Sequence, residues 1–194
     1  MSLLRAFIAI ELSADIRQAI STQSAVMQAR LKGCVRWVPA SNIHLTLKFL
    51  GDVAPSNVEM LKQSLQAEAS QHPVFDLSVS GLGAFPNARH ARVIWVGIQA
   101  PATLNRIQHA IESACARLGY PAEERPFSPH LTIGRIREQV STSESQAIRT
   151  VLETTRVGEL GAMRVETVHL FKSDLQPSGA IYTSLHSAPL TTIP

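Results

Sequence analysis

A four-residue pattern occurs twice in this chain, as His44-Leu45-Thr46-Leu47 and as His130-Leu131-Thr132-Ile133, and no other feature constrains the fold as strongly. Each copy sits in an apolar run of strand-like composition. In an extended strand the side-chain period is two, so the histidine and threonine of each copy share one face and the two apolar residues share the other. Each copy therefore presents an imidazole beside a hydroxyl, backed by a face that can enter a core. The second histidine follows the first by 86 positions. The same offset carries Phe7-Ile8-Ala9-Ile10 onto Val93-Ile94-Trp95-Val96, and Val79, Leu82 and Phe85 onto Val165, Val168 and Phe171. A duplication of β-α-β-α-β type accounts for every match. Two copies are too few for a solenoid, so the expected result is two lobes related by a pseudo-two-fold axis.

Pattern and punctuation fill in the elements. Strands are expected over residues 5–11, 35–39, 42–51, 75–85, 92–98, 163–171 and 180–186, with the second histidine motif opening another at His130. Helices are expected from Ser13 to about Gly33, over 55–70, over 100–118 with Gly119 as stop, and over 141–155 with Ser141 or Ser143 as cap. Pro86-Asn87-Ala88-Arg89 reads as the turn of a hairpin, and residues 174–179 as a second turn. Hairpin-joined strands imply antiparallel sheets with helices on one face of each. The expected architecture is α+β: a duplicated, pseudo-two-fold, bilobal fold with two antiparallel sheets facing a central cleft and helices on the outside. It forms one two-lobed domain over residues 1–194, with repeat copies at approximately 5–90 and 91–187.

Composition sets limits. A chain of 194 residues with 45% hydrophobic content can bury a substantial core. The net charge of +3 suits an anionic ligand without requiring one. Cys34 and Cys115 make no metal-ligand or redox spacing and read as reduced thiols, Cys115 as a core filler, which fits a cytoplasmic protein. The apolar start ends at Glu11, too short to span a bilayer and without a cleavage signal, and no later run approaches spanning length. No membrane partner is expected. No apolar heptad is exposed, so a monomer is expected.

Two histidines opposed across a cleft can run acid-base chemistry near neutrality, one taking a proton from a nucleophile and the other giving one to a leaving group. Each threonine hydroxyl can donate to the same anion. Four convergent donors without an acidic cluster suit a phosphate ester, because in-line displacement at phosphorus needs a base on one side and an acid on the other. No carboxylate pair lies near either motif, so neither a metal nor any other cofactor is expected.

The flanks sharpen this reading. Trp37-Val38-Pro39, Asn42 through Gly51, Pro126-Phe127-Ser128-Pro129 with His130 through Arg135, and Ser173 through Tyr182 resemble the bacterial RNA 2′,3′-cyclic phosphodiesterase family. That family, formerly described as 2′-5′ RNA ligase, belongs to the two-histidine phosphoesterase superfamily. The resemblance runs over nearly the whole chain in order and spacing. It implies metal-independent hydrolysis of RNA 2′,3′-cyclic phosphate ends to 2′-phosphomonoesters, with RNA 3′ ends or cyclic nucleotides as substrate. It assigns His44 as proton donor to the departing 3′ oxygen and His130 as proton acceptor from water, roles that the symmetry of the motifs leaves open. It further implies that Thr46 and Thr132 hold phosphate oxygens and that Phe49 and Arg135 sandwich a nucleobase. Ideal strand parity turns Phe49 and Arg135 to the core face, so this last implication requires a bend, for which Gly51 and Gly134 are the available positions.

Other residues have plainer readings. Trp37 and Phe127 read as packing at the cleft edge. Lys48 shares the face of His44 and is a candidate for attracting phosphate. Arg89, Arg92 and Arg125 could steer RNA by charge. The remaining histidines carry no repeated motif. Two alternatives stand beside hydrolysis: ligation of a 2′,3′-cyclic end to a 5′-hydroxyl end, and a non-catalytic RNA- or nucleotide-binding module.

Overall fold

The computed structural model describes residues 2–31, 33–176 and 179–192. In chain order the elements are β1 (Leu4–Glu11), α1 (Ala14–Arg30), β2 (Val35–Trp37), β3 (His44–Val53), α2 (Val58–Ala69), β4 (Phe75–Phe85), β5 (Val93–Gln99), α3 (Ala102–Arg117), β6 (His130–Ile136), α4 (Thr142–Thr154), β7 (Glu159–Val165), β8 (Thr167–Gln176) and β9 (Gly179–Pro189). The helix starts follow from their caps. Ser13 accepts the Ile16 N–H at 3.4 Å ahead of α1, and Ser141 with Glu144 forms a reciprocal capping box ahead of α4. The chain leaves α3 through Gly119 at φ +89, a conformation that costs any side chain. The first helix, expected to reach about Gly33, ends at Arg30 with Leu31 as its cap, and residue 32 lies outside the described residues. Of the expected turn at 174–179, residues 174–176 continue β8 and Gly179 opens β9, with Gln176 opposite Gly179, so the turn is shorter than expected and its residues 177–178 lie outside the described residues.

The strands form two antiparallel sheets, a four-stranded sheet in the order β3-β1-β8-β9 and a five-stranded sheet in the order β2-β6-β5-β4-β7. Under the 86-residue offset β1 answers to β5, β3 to β6, and β4 to β8. The cores of the two sheets, β3-β1-β8 and β6-β5-β4, are therefore the same arrangement, which gives the fold its pseudo-two-fold, bilobal form. The third strand of each sheet comes from the other copy of the repeat. The reason is local: β4 runs into β5 through the tight turn at residues 86–92, with Phe85 opposite Val93, so it stays in the sheet of β5. The place beside β1 is then filled by β8, with Phe7 opposite Phe171.

One expected element is divided. Residues 163–171 read as one strand, but the chain changes sheets within that span, β7 pairing with β4 and β8 with β1. Only Glu166 separates the two strands, and its carbonyl is taken by the Leu190 N–H at 2.8 Å. A strand that switches sheets stays extended, so its apolar alternation carries no mark of the switch.

Helices α2 and α3 pack on the four-stranded sheet, and α1 and α4 on the five-stranded one. Their inward stripes, Ile16, Ile20 and Met27 in α1, Leu61 and Leu65 in α2, Leu104, Ile107 and Ile111 in α3, and Ile148, Val151 and Leu152 in α4, join the apolar faces of both sheets in one core. Leu45, Leu131 and Ile133 lie in it, as the strand parity requires. Cys115 is buried in the same core. A second, smaller cluster of Phe7, Ala9 and Phe171, flanked by Tyr182, occupies the opposite face of the four-stranded sheet. That face carries His44. Among the described residues no helix is long and apolar enough to cross a membrane.

Candidate functional site

The two histidine motifs open the two strands β3 and β6, which lie against each other where the sheets meet. His44, Thr46, His130 and Thr132 are each half-buried, while Leu45 and Leu131 between them are fully buried. The imidazoles are held alike. His44 Nδ1 lies 2.9 Å from the Asn42 carbonyl, and His130 Nδ1 lies 2.7 Å from the Ser128 carbonyl. A carbonyl oxygen only accepts, so Nδ1 carries the hydrogen in both rings and the neutral form of each has its lone pair on Nε2. Among the described residues neither Nε2 nor either threonine hydroxyl has a protein partner. The carbonyls fix the tautomer and aim of both rings and leave four polar groups available to a ligand.

Aromatic rings enclose each imidazole. Phe7 stacks on His44 with centroids 4.6 Å apart, and Tyr182 meets the same ring edge-on at 5.2 Å. Phe85 meets His130 edge-on at 4.9 Å, with Trp95 at 6.5 Å. The Trp95 ring lies over Gly83, where a Cβ would fall 2.2 Å from it, so this close packing requires glycine. The buried Trp95 indole N–H has no hydrogen-bond partner among the described residues.

Burial lowers the His44 imidazole to about 4, against the raising effect of its bond to the Asn42 carbonyl. The unfolded chain, with histidine near its ordinary 6.5, takes up a proton that the folded chain refuses until about pH 4. The contribution of His44 to stability is complete above pH 6.5 and is lost as pH falls towards 4, by at most about 3 kcal/mol. Burial lowers His72 and His169 as well, with the same sign. The urea midpoint is expected to fall between pH 6.5 and 4, and less steeply in His44→Asn; equal slopes would show that the loss does not originate in the burial of His44.

The register supplies the bend that Phe49 and Arg135 require, closer to the motifs than the glycines. In the β1–β3 ladder Ala9 pairs with Thr46 and Ile8 with Lys48, leaving Leu47 unmatched. In the β5–β6 ladder Trp95 pairs with Thr132 and Ile94 with Gly134, leaving Ile133 unmatched. A β-bulge thus follows the threonine in both copies and reverses the parity beyond it. The carbonyls released by the bulges are satisfied, Leu47 by the Gln108 side chain at 3.3 Å and Ile133 by the Val38 N–H at 2.9 Å. Phe49 emerges 65% exposed, 6.3 Å from the Phe7 ring that stacks on His44. Arg135 is exposed, and its charge reaches the Tyr182 phenol on the other sheet, offsetting in part the upward push of burial on that phenol. Arg135 also lies directly opposite Arg36 of β2, a like-charged cross-strand pair that disfavours folding and concentrates positive potential.

The same reversal corrects the reading of Lys48. It does not share the face of His44. It turns under the sheet, 5% exposed, to pair with Glu112 of α3 and to donate to the Pro121 carbonyl. Trp37 and Phe127 pack against the core as expected. Trp37 closes over Gly134, where a Cβ would come within 2.7 Å of Val35 and 3.2 Å of Trp37. Phe7, Phe85, Trp95 and Tyr182 carry no chemical signature in the sequence, and the signals that touch them are the 86-residue offset, which maps Phe85 onto Phe171 and the run of Phe7 onto the run of Trp95, and the resemblance through Tyr182. Among the described residues no three His, Cys, Asp or Glu side chains are grouped to hold a metal ion.

Known proteins are similar to this chain in sequence and fold. An RNA 2′,3′-cyclic phosphodiesterase of Methanothermobacter thermautotrophicus is 33% identical over 93% of this chain and 96% of its own length. One of Escherichia coli is 36% identical over 71% of this chain and 75% of its own. The crystal structure of E. coli LigT in apo form superposes with a TM-score of 0.78 at 28% identity, covering 99% of this chain and all of that one. LigT has also been crystallised with 3′-AMP, and that structure matches with a TM-score of 0.75 at 28% identity over 98% of this chain and 99% of that one. The family model of the 2′-5′ RNA ligase superfamily matches residues 13–177, and this chain belongs to that superfamily.

Proposed function

We propose that this chain hydrolyses RNA 2′,3′-cyclic phosphate ends to 2′-phosphomonoesters, without a metal, with His44 as proton donor and His130 as proton acceptor. The observation that carries the proposal is the matched pair of imidazoles, each tied through Nδ1 to a backbone carbonyl and each open at Nε2. His130 Nε2, neutral, takes a proton from water as the water oxygen bonds to phosphorus. The P–O3′ bond breaks, and O3′ takes the proton of charged His44 Nε2. The product is a 2′-phosphomonoester with a 3′-hydroxyl, and exchange with solvent returns each ring to its starting state. The Thr46 and Thr132 hydroxyls donate to the two non-bridging oxygens, where charge grows in the transition state. Phe49 and Arg135, both on the cleft side of their strands, bracket the base.

In the ligand-free protein His44 is neutral near pH 7, because burial holds it at about 4. An anionic phosphodiester against the ring raises it again, since an opposite charge at contact shifts a titrating group by roughly 1–3 units. Substrate binding therefore increases the charged fraction of the donor over that in the ligand-free protein. RNA and nucleotides are the partners this reading requires, within one two-lobed domain whose repeat copies span about residues 5–90 and 91–187.

Incubating the protein with adenosine 2′,3′-cyclic phosphate in chelator and following phosphorus NMR tests the reading. The 2′-phosphate is expected as sole product. The 3′-phosphate would reverse the donor and acceptor roles, and turnover only on adding a divalent cation would refute the metal-free scheme. Binding without turnover would mark a non-catalytic module. Ligation is the same chemistry with a 5′-hydroxyl in place of water, and adding a 5′-hydroxyl oligonucleotide to the reaction measures it.

A further inference from the structure

A cavity of about 440 Å³ opens on the flank of His44 away from Phe49. It lies between the end of β1, the first turns of α1, the segment 39–44 that leads into β3, and the start of β9; its walls include Glu11, Arg17, Asn42, His44 and Tyr182. Asn42 holds the wall together, its side-chain N–H donating to the Ala180 carbonyl at 2.7 Å. The Arg17 side chain is half-buried in this wall, and its guanidinium has neither an ion pair nor a hydrogen bond among the described residues. Glu11 lines the same cavity, but it is exposed, makes no ion pair with Arg17, and its charge acts on His169 of β8. A half-buried guanidinium without a carboxylate partner, beside the imidazole that meets a phosphate ester, favours a second anion.

The covalent structure of the substrate says where that anion is. O3′ is attached to C3′, the neighbour of C4′, which carries the 5′ arm of the nucleotide; O2′ is attached to C2′, the neighbour of C1′, which carries the base. If His44 protonates O3′, the 5′ arm lies on the His44 flank, and the base lies towards Phe49 and Arg135. We infer that Arg17 binds the phosphate on the 5′ side of the terminal nucleotide, so that the chain distinguishes an RNA end from a bare cyclic nucleoside phosphate. The inference rests on the donor role proposed above for His44. Arg17 acts as a specificity residue: it touches the substrate away from the reacting atoms, and it turns binding of the upstream phosphate into a preference for RNA.

The test compares three substrates: adenosine 2′,3′-cyclic phosphate, the same compound with a 5′-phosphate, and the dinucleotide ApA ending in a 2′,3′-cyclic phosphate. The wild type is expected to favour the second and third over the first in kcat/KM, chiefly through KM. Arg17→Ala is expected to lower that preference about tenfold, the scale of one charge-assisted hydrogen-bonded contact, and Arg17→Lys to retain part of it. Because the readout is a ratio, a general loss of folded protein cancels. An unaltered ratio in Arg17→Ala would overturn the inference. So would an equal loss in Glu11→Gln, which would show that Arg17 serves an internal ion pair. A 3′-phosphate product would overturn it through the donor assignment, and absence of turnover on every substrate would fail the proposed reaction itself rather than Arg17 alone.

Discussion

Alanine at His44 or at His130 is expected to lower kcat/KM for a 2′,3′-cyclic nucleotide by about 10³- to 10⁴-fold, with folding intact in both variants. General acid-base transfer by a positioned side chain contributes about 10²- to 10⁴-fold, and here each ring has a single role at one step. The double variant is expected to lose much less than the product of the single losses, because two groups that act on one displacement are not additive. Both histidines are only half-buried, and their Nε2 atoms bind no protein group among the described residues, so their removal orphans little besides one carbonyl each, which the open cleft hydrates. The pH dependence separates the two. The His44 limb in kcat/KM reports the ligand-free protein, near 4, whereas its limb in kcat reports the complex and is expected to lie higher. Coincident limbs would show that substrate does not charge this ring, and full activity in either alanine variant would eliminate the two-histidine scheme.

The largest expected effect on stability lies outside the cleft. Lys48→Ala should destabilise the fold by about 3–5 kcal/mol, the scale for removing one partner of a buried ion pair. The loss is large because Glu112 is left as an uncompensated charge next to the core. Among the described residues only neutral donors remain to it, the Glu123 N–H at 2.8 Å and the Gln108 side chain at 3.2 Å. The Pro121 carbonyl also loses its donor. Lys48→Met combined with Glu112→Gln removes both charges and keeps the volume, so it should recover most of the difference. A urea midpoint for Lys48→Ala within experimental error of wild type would refute the structural role. Turnover by the folded fraction of Lys48→Ala should stay close to wild type; a loss confined to kcat/KM with an unaltered midpoint would instead return Lys48 to the phosphate.

The histidines and Lys48 fall on opposite sides of what is legible in the residues. The histidine motifs are legible because a spacing of two is enough to place an imidazole and a hydroxyl on one face of a strand. A constant offset of 86 is likewise enough to imply two copies of one unit. The helix limits are legible from Ser13, Ser141 and Gly119, whose caps and stop are local chemistry. Lys48 is not legible, because the bulge at Leu47 is a property of the ladder with β1 and reverses the side chains from Lys48 until a second register shift past Phe49. Nor is the aromatic shell, since Phe7 and Tyr182 are 175 residues apart and Tyr182 meets His44 only because β8 and β9 cross to the sheet of β1.

The sequence by itself determined the duplicated unit, its two strand-borne imidazoles and the helices that back the sheets, because each depends on periodicity and capping within a few residues. Tertiary structure decided which strand each copy lends to the other, which face Phe49, Arg135 and Lys48 occupy, and how far His44 is removed from water. Those outcomes depend on pairing between distant segments, and an extended backbone carries no trace of which neighbour it will take.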